Sequence, residues 1–266
     1  MTETAGPPLS RTCYATLWLW PGRAIYRGAS LQLDTHSGSV ACLAVGVDAA
    51  FTVHVGRVSF KARSALIPAR TPHRLVAHGA EMIFAYLDPG TPLERACRRQ
   101  MKMHTGPIAH GHRHEDALLD FEAPEAWLAK AAATEGRDAR LDPRVRAAAA
   151  AIVRDPCAAE SAAFFAERAG LSTSRFLHLF QQETSTTFRR YRLWARMLRA
   201  GAALTRGGDL TSAAMDAGFS SSAHFSSAFH AMFGVPPSRL YASTRIVFAE
   251  SAAPSEVARR EPERRG

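Results

Sequence analysis

The strongest constraint on the fold is an internal repeat in the second half of the chain. The segment 165–172 aligns with 213–220 at an offset of 48 residues, and each copy contains Ala-Gly followed two positions later by Ser. One residue further on the offset becomes 49, which places Phe176 opposite Phe225. Self-similarity of this kind indicates a repeated supersecondary unit. Two copies of one motif are therefore expected here.

Each copy has the pattern of two helices joined by a tight turn. Gly170 and Gly218 suit the left-handed conformation that ends a first helix. Ser172, and Ser220 or Ser221 in the second copy, suit the start of the next helix as capping residues. Spacings of three and four residues then define one apolar face per second helix, made by Phe176, Leu179 and Phe180, and by Phe225, Ala228, Phe229 and Met232. This pattern is typical of a helix-turn-helix, whose second helix can enter the major groove of DNA.

The opposite faces of the two second helices supply the candidate DNA-binding residues. They are Thr173, Ser174, Leu177 and His178 in the first copy, and Ser222, Ala223, Ser226 and Ser227 in the second. A helical hairpin can carry Ala and Gly at these positions merely to pack, so one copy would leave packing and DNA binding equally supported. Two copies favour DNA binding.

Charge points to the same half of the chain. The net charge is +9, and residues 141–240 hold 12 arginines against seven acidic side chains. Such a surface attracts phosphate backbones or an anionic membrane, although charge alone also fits a compositional bias. Between the copies, residues 188–205 are predicted to form one helix of roughly 27 Å. Its arginines either bind phosphate or form a solvated face.

Residues 145–242 resemble the DNA-binding domain of AraC-type transcriptional regulators. The resemblance is carried by Ala166 to Ser172, Phe176 to Phe180, Glu183-Thr184, Ala217 to Phe229 and Phe233 to Arg239. It implies two helix-turn-helix units joined by a long helix, which read neighbouring half-sites of double-stranded promoter DNA. His178 and Ser227 stand where the family usually has arginine, Ser185 replaces a glycine, and Ala213 replaces a larger aliphatic residue. We therefore expect base reading to be concentrated in the first unit.

The N-terminal segment has short runs of strand-forming residues separated by turn signals, which predicts a small antiparallel barrel or sandwich. It resembles the cupin-like domain of many AraC-type proteins, on Thr35 to Gly38, Leu66 to His73 and Tyr86 to Pro89. The expected fold class is α+β: an N-terminal cupin-like antiparallel β-barrel followed by an all-α double helix-turn-helix domain.

Two histidines of that segment, His36 and His73, are the candidate effector contacts, and the alternative is that both are structural. In cupin enzymes a His-x-His, a Glu and a later His bind the metal, whereas at most two such ligands are present here. A catalytic site needs three or more. We expect no metal, no cofactor and no enzymatic activity.

The expected domains are 10–92, a cupin-like regulatory domain; 93–140, a helical and loop linker that is a candidate for dimerisation; 141–242, the DNA-binding domain; and 243–266, a disordered tail. The linker contains a cluster of histidines, namely His104, His110, His112 and His114. These suit zinc, but the neighbouring Gly and Pro favour an exposed polar loop.

Together these patterns predict a sequence-specific DNA-binding transcription regulator, modulated by a small molecule at its N-terminal domain. RNA polymerase and a second copy of the chain are further candidate partners. No apolar run of roughly 20 residues, no signal-peptide pattern and no Cys-x-x-Cys pair is present, so we expect a cytoplasmic protein without membrane contact. The competing interpretations are a cupin-type metal-dependent enzyme with a structural helical appendage, and an architectural DNA-binding protein.

Overall fold

The structure, a computed structural model, describes residues 15–133, 141–158 and 160–248. It is a mixed α+β fold with a strand-rich N-terminal part and a helical C-terminal part. Among the helices of these described segments, none combines the length and apolar character that crossing a bilayer requires.

Eleven strands occur in the described residues. They are β1 (Ala15–Trp20), β2 (Arg23–Ala29), β3 (Ala41–Gly46), β4 (Phe51–Val55), β5 (Val58–Ala62), β6 (Ser64–Ile67), β7 (Arg74–Val76), β8 (Glu81–Leu87), β9 (Met101–Thr105), β10 (Ile108–His112) and β11 (Thr244–Phe248). Eight of them form one sheet in the order β11-β1-β2-β8-β3-β6-β10-β9, and the other three form a sheet in the order β5-β4-β7.

The expected closed barrel is not what the N-terminal part forms. The two edge strands of the large sheet, β9 and β11, lie at opposite ends of the strand order, so this sheet stays open. The hairpin β4–β5 pairs with β7 in a separate sheet instead of completing a cylinder. An isolated bridge between His36 and His73 lies outside both sets of strands. The result is two sheets with buried apolar side chains between them.

Ten helices occur in the same described residues: α1 (Leu93–Arg99), α2 (Glu115–Leu119), α3 (Pro124–Ala132), α4 (Pro143–Arg154), α5 (Ala162–Arg168), α6 (Thr173–Thr184), α7 (Phe188–Thr205), α8 (Leu210–Asp216), α9 (Ser222–Phe233) and α10 (Pro237–Ala242). Helix α7 has the bounds that the sequence predicts. It begins after Thr187, whose hydroxyl accepts a bond from the backbone N–H of Arg190 at 3.3 Å.

The segment expected to be a helical and loop linker contains two strands of the large sheet. Strand β10 pairs with β6 on one side and with β9 on the other, and Gly106 turns the β9–β10 hairpin with a φ of +56°. His110 and His112 are consequently buried, not part of an exposed loop. The Nε2 of His112 bonds the carbonyl oxygen of Ala131 at 3.0 Å. Local polarity was misleading because hydrogen bonds satisfy these imidazoles inside the fold.

The segment expected to be a disordered tail begins with a strand. Residues 244–248, β11, pair in parallel with β1, from Ala15 opposite Thr244 to Leu19 opposite Phe248. The chain therefore leaves the last helix and returns to the edge of the N-terminal sheet. Residues 249–266 of the expected tail lie outside the described residues.

Apolar packing joins the N-terminal sheets to the second repeat and leaves the first repeat separate. One cluster combines residues of the sheets with residues of α7, α8 and α9, such as Leu17, Phe84, Trp194 and Phe229. The first repeat has its own cluster, made by α4, α5, α6 and the first half of α7. The second helix-turn-helix unit therefore shares a core with the N-terminal domain.

Helix α7 makes the central contact between the two parts of the molecule. The indole N–H of Trp194 donates to the carbonyl oxygen of Gly22 at 2.8 Å. At Gly201 the helix passes so close to β1 that an added Cβ would lie 2.6 Å from a methyl carbon of Leu19. The guanidinium of Arg190 donates to the carbonyl oxygen of Ser37 at 2.9 Å.

A half-buried acidic residue, Asp88, lies in the same contact. Its Oδ1 accepts bonds from the hydroxyl of Tyr191 at 2.9 Å and from the backbone N–H of Gly90 at 2.7 Å. Burial raises the pKa of Asp88 to about 6, against the lowering effect of these two donors and of Arg23. Because the folded pKa exceeds the unfolded one, folding favours the protonated form, and stability falls as the pH rises through about 4 to 6.

We predict that Asp88→Asn stabilises the protein at neutral pH, because the amide keeps an acceptor oxygen without a buried charge. The gain in the free energy of unfolding should be about 3 kcal/mol at pH 7.5 and about half of that at pH 5. Urea unfolding at several pH values measures this difference. Asp116→Asn, on the exposed surface of α2, is the control and should give a difference that does not grow with pH. If Asp88→Asn lowered the free energy of unfolding at pH 7.5, the raised pKa inferred for Asp88 would be contradicted.

Candidate nucleic-acid interface

The two repeats have the same backbone geometry at their turns. In the first unit the N–H of Leu171 donates to the carbonyl oxygen of Ala166 at 2.9 Å, and in the second unit Phe219 donates to Ala214 at 3.0 Å. The glycine before each donor, Gly170 or Gly218, has a φ of +64° or +77°. Helices α5–α6 and α8–α9 are therefore two copies of one helix-turn-helix, as the sequence predicts.

Serine side chains cap both recognition helices, α6 and α9. The hydroxyl of Ser172 accepts from the N–H of Arg175 at 3.3 Å. In the second unit Ser221 is the cap and accepts from the N–H of His224 at 3.1 Å. Ser220, the other candidate, bonds the imidazole of His224 at 2.9 Å instead. Fixed helix starts hold the first turn of each helix, the part that reads bases in this motif.

The candidate DNA-binding residues lie on the outer face of these helices. All four of α6, namely Thr173, Ser174, Leu177 and His178, are exposed, and so are Ala223, Ser226 and Ser227 of α9. Ser222 is half-buried. The apolar faces point inwards, since Phe176 and Phe180 are fully buried and Phe225 is 1% exposed. The structure thus presents two polar helix faces to solvent, and contact of these residues with bases remains a prediction.

The second recognition helix is held by the N-terminal domain at its C-terminal end. The imidazole Nε2 of His230 lies 2.9 Å from a carboxylate oxygen of Asp34. The backbone N–H of Asp34 also donates to the carbonyl oxygen of Gly234 at 2.8 Å, and that of Ser37 donates to Ala231 at 3.2 Å. The first recognition helix is also held at its C-terminal end, where the guanidinium of Arg95 in α1 donates to the carbonyl oxygen of Glu183 at 3.0 Å and lies 3.6 Å from its carboxylate. Both recognition helices are therefore tied to the N-terminal part at their C-terminal ends, through different partners.

The arginines of α7 are mostly engaged inside the molecule. Arg192 donates to the carbonyl oxygen of Glu160, Arg196 to that of Pro156 at 3.3 Å, and Arg199 pairs with Asp155 at 3.1 Å. All three tie the α4–α5 loop to the helix. Of the α7 arginines, Arg189 and Arg199 are exposed to solvent, and Arg199 is the one of the two that pairs with Asp155. Two further exposed arginines, Arg168 and Arg175, lie at the ends of α5 and α6 that meet at the turn.

The two effector candidates of the N-terminal domain contact each other. The backbones of His36 and His73 exchange hydrogen bonds of 3.0 and 2.9 Å, and their rings lie 4.3 Å apart. Each Nδ1 bonds a backbone carbonyl, that of Asp34 or of Thr71. Burial lowers the pKa of both imidazoles, to about 4 for His73. Both are neutral at physiological pH, and the cavity that they line measures about 10 Å³, close to the space of one water molecule.

A larger apolar cavity, which we term the domain cavity, lies between the N-terminal sheet and the second unit. Its walls include Leu17, Tyr26 and Phe84 of the sheet and Trp194, Phe229 and Phe233 of the helices, and its volume is about 60 Å³. Within residues 15–133, 141–158 and 160–248, no group of three or more His, Cys, Asp or Glu is placed to hold a metal ion.

Sequence patterns missed the residues that join the two domains. Asp88, Gly22 and Asp34 lie in loops of the N-terminal part, and their partners lie more than 100 residues later in α7 and α9. The one available signal was the composition of α7, which has small or apolar residues on more than one face. Tyr191 and Ala200 lie on opposite sides of this helix and both are buried, which indicates packing on two sides.

Comparisons with known proteins match the helical part. Residues 165–243 match the family model described as a helix-turn-helix domain. No curated protein matches the chain. Among solved structures, ToxT from Vibrio cholerae O395 is similar with a TM-score of 0.51 at 11% identity, over 82% of this chain and 96% of that one. An apo ToxT variant from strain SCE256 gives 0.52 at 10% identity over the same shares. The structural likeness shows the fold, and the matched model shows a helix-turn-helix domain over residues 165–243; together they support the predicted AraC-type regulator.

We predict that base selection depends more on the first unit than on the second. The double substitution Ser174→Ala with His178→Ala removes two exposed polar groups of α6 and should lower the preference for the selected site over competitor DNA about five- to tenfold. Ser222→Ala with Ser227→Ala, the matched pair in α9, should change it less than twofold. Binding-site selection followed by titration of both variants measures the preference. Equal losses in the two pairs would refute the asymmetry.

Proposed function

We propose that this AraC-type DNA-binding transcription regulator reads two neighbouring half-sites of a promoter, with α6 selecting bases and α9 contributing mainly positioning. The carrying observation is the duplicated unit, in which two helices with identical turns and serine caps expose polar faces. Because α7 spans roughly 27 Å, near the ~34 Å between successive major-groove faces, it can present both helices to one side of the duplex.

We further propose that a small-molecule effector acts through the N-terminal domain, which we regard as a divergent, open cupin-like fold. The domain cavity supports this because its walls belong to the sheet and to the second unit alike. Its 60 Å³ is below the size of ordinary ligand sites, so a ligand must move the helices away from the sheet. Effector affinity and helix position are then linked. ToxT from Vibrio cholerae O395 has been solved with a methylnaphthalenyl-butenoic acid bound, at 11% identity and a TM-score of 0.50 to this chain.

His36 and His73 contribute to this proposal from the separate small cavity that they line. His36 packs under the α9–α10 turn, where an added Cβ on Gly234 would lie 2.7 Å from its Nδ1. A change in the second unit would therefore reach His36 and its partner His73 directly. This position favours a role in transmitting effector binding over the metal-binding role that a cupin-type enzyme would require. We accordingly propose a non-enzymatic regulator that acts in the cytoplasm.

DNase footprinting on the upstream region of this protein's own gene tests the function. We expect two protected stretches about one helical turn apart, in direct orientation, as two tandem copies that face the duplex in the same sense would give. Protection should weaken as salt is raised. The control is a chain with both Arg175→Gln and Ser174→Ala, which should lose the first stretch before the second. Inverted half-sites would contradict the proposed arrangement, and binding without site preference would instead indicate an architectural protein.

The same footprinting experiment tests two proposed protein partners, a second copy of the chain and RNA polymerase. A second copy of the chain would extend protection to four stretches. RNA polymerase, added with the regulator, would extend protection towards the transcription start if the two proteins contact each other. Both partners remain proposals that rest on the family resemblance.

A further inference from the structure

A groove lies where the chain between β2 and β3 separates from β7, and we term it the strand groove. Its volume is about 860 Å³. Its walls come from residues 30–34, from residues 74–79 and from the α9–α10 turn, where Gly234, Pro236 and Arg239 line it. We propose that the strand groove binds an extended acidic segment of a protein partner, which adds a strand beside β7.

The two N-terminal walls of the strand groove are joined at both ends. At one end the backbone N–H of Ser30 donates to the carbonyl oxygen of Ala80 at 2.9 Å. At the other end His36 and His73 exchange two backbone bonds, of 3.0 and 2.9 Å. Between these ends, the two walls form no backbone bond with each other in the described part of the chain. The walls are thus two neighbouring segments that separate where a sheet would pair them.

Backbone groups on both walls lack the partners that a sheet would give them. Within the described residues, the N–H groups of Leu31, Gln32 and Leu33 donate to no acceptor. Strand β7 pairs with β4 along one of its edges. The backbone groups of Leu75 point to the other edge, as those of His73 do, because alternate residues of a strand bond to the same side. The groove therefore offers N–H and C=O groups to an added strand.

The side chains of the strand groove favour a segment that alternates apolar and acidic residues. Two of its wall residues, Leu33 and Leu75, are buried apolar side chains. Two others, Arg74 and Arg239, are exposed and form no ion pair in the described part of the chain. Because side chains of a strand alternate between its faces, one face of a partner strand can pack on the leucines while its carboxylates meet the arginines. An inorganic anion would leave the leucines and the backbone groups unused.

The strand groove is separate from the surfaces proposed to bind DNA. Its helical wall follows the end of α9, a helix of 12 residues, and so lies about 18 Å from the first turn of that helix. Asp34, the acid among the wall residues, is engaged within the chain, 2.9 Å from the imidazole of His230. A protein partner in the groove and DNA on the recognition helices can therefore be bound together. The inference does not rest on the proposed promoter function.

Fluorescence anisotropy of a labelled peptide with the full chain tests the proposal. The peptide has about six residues that alternate valine and glutamate, enough to extend along the open walls. We expect saturable binding. A peptide with lysine in place of glutamate should bind at least tenfold more weakly because it meets the arginines with like charge. A peptide with methylated backbone nitrogens should lose as much, because it cannot donate to the free carbonyl groups of the walls.

Substitution of the two arginines locates the site. Arg74→Gln and Arg239→Gln should each weaken binding of the acidic peptide about fivefold, as for exposed charge pairs. Arg74→Lys with Arg239→Lys keeps the charge and should recover part of the affinity. Arg57→Gln is the matched control, since Arg57 is an exposed arginine of the β4–β5 turn that does not line the groove. It should leave peptide binding unchanged.

Four results would overturn the proposal. The acidic peptide does not bind; Arg57→Gln weakens binding as much as the groove variants, so that only net charge matters; the methylated peptide binds as tightly as its parent, so that no strand is added; or duplex DNA of unrelated sequence displaces the peptide, so that the arginines serve phosphate. Each of these is read from peptide binding and not from protection of a promoter. The proposed promoter binding is therefore unaffected by them.

Discussion

The packing of α7 against the N-terminal sheet is the contact on which the rest of the structure depends. Bonds at its start and middle join it to that sheet, through Tyr191 and Trp194, and Gly201 allows its second half to approach β1. The same helix connects the two helix-turn-helix units. Any displacement of α7 from the sheet therefore moves both units together. This geometry makes the relation between DNA binding and the N-terminal domain mechanical.

The arginines of α7 show how the first unit is held to that helix. Arg192, Arg196 and Arg199 bind the α4–α5 loop, at the carbonyl oxygens of Glu160 and Pro156 and at the carboxylate of Asp155. Cations near a helix C-terminus also interact favourably with its dipole. Much of the positive charge of α7, which in the sequence suggested binding to nucleic acid, thus holds α4 in place against α7. Phosphate contacts fall to exposed arginines such as Arg168, Arg175 and Arg189.

Sequence patterns within a few residues predicted the helices of the C-terminal half, but they did not predict the strands that flank it. The bounds of α7, the capping role of Ser172 and the buried Phe176 and Phe180 all follow from spacing within a few residues. Strands β9–β10 and β11 were missed for a physical reason. A strand is stabilised by pairing with strands that are distant in sequence, here β6 and β1. The residues of the strand itself do not determine which strand it pairs with. Thr244 to Phe248 do contain β-branched residues, but the low-complexity segment that follows outweighed this signal. The contacts of candidate residues with bases and effectors remain predictions.

The two helix-turn-helix units pack differently against the N-terminal sheet, and this difference affects how a ligand could regulate them. Because α9 shares its apolar core with the sheet while α6 does not, a change at the domain cavity acts first on the second unit. The first unit follows through α7, through the loop bound by its arginines, and through the contact of Arg95 with Glu183 at the end of α6. A ligand can shift this arrangement only by as much as its affinities for the two states differ. A ligand that loosens the domain cavity would therefore disturb the position of α9 before that of α6.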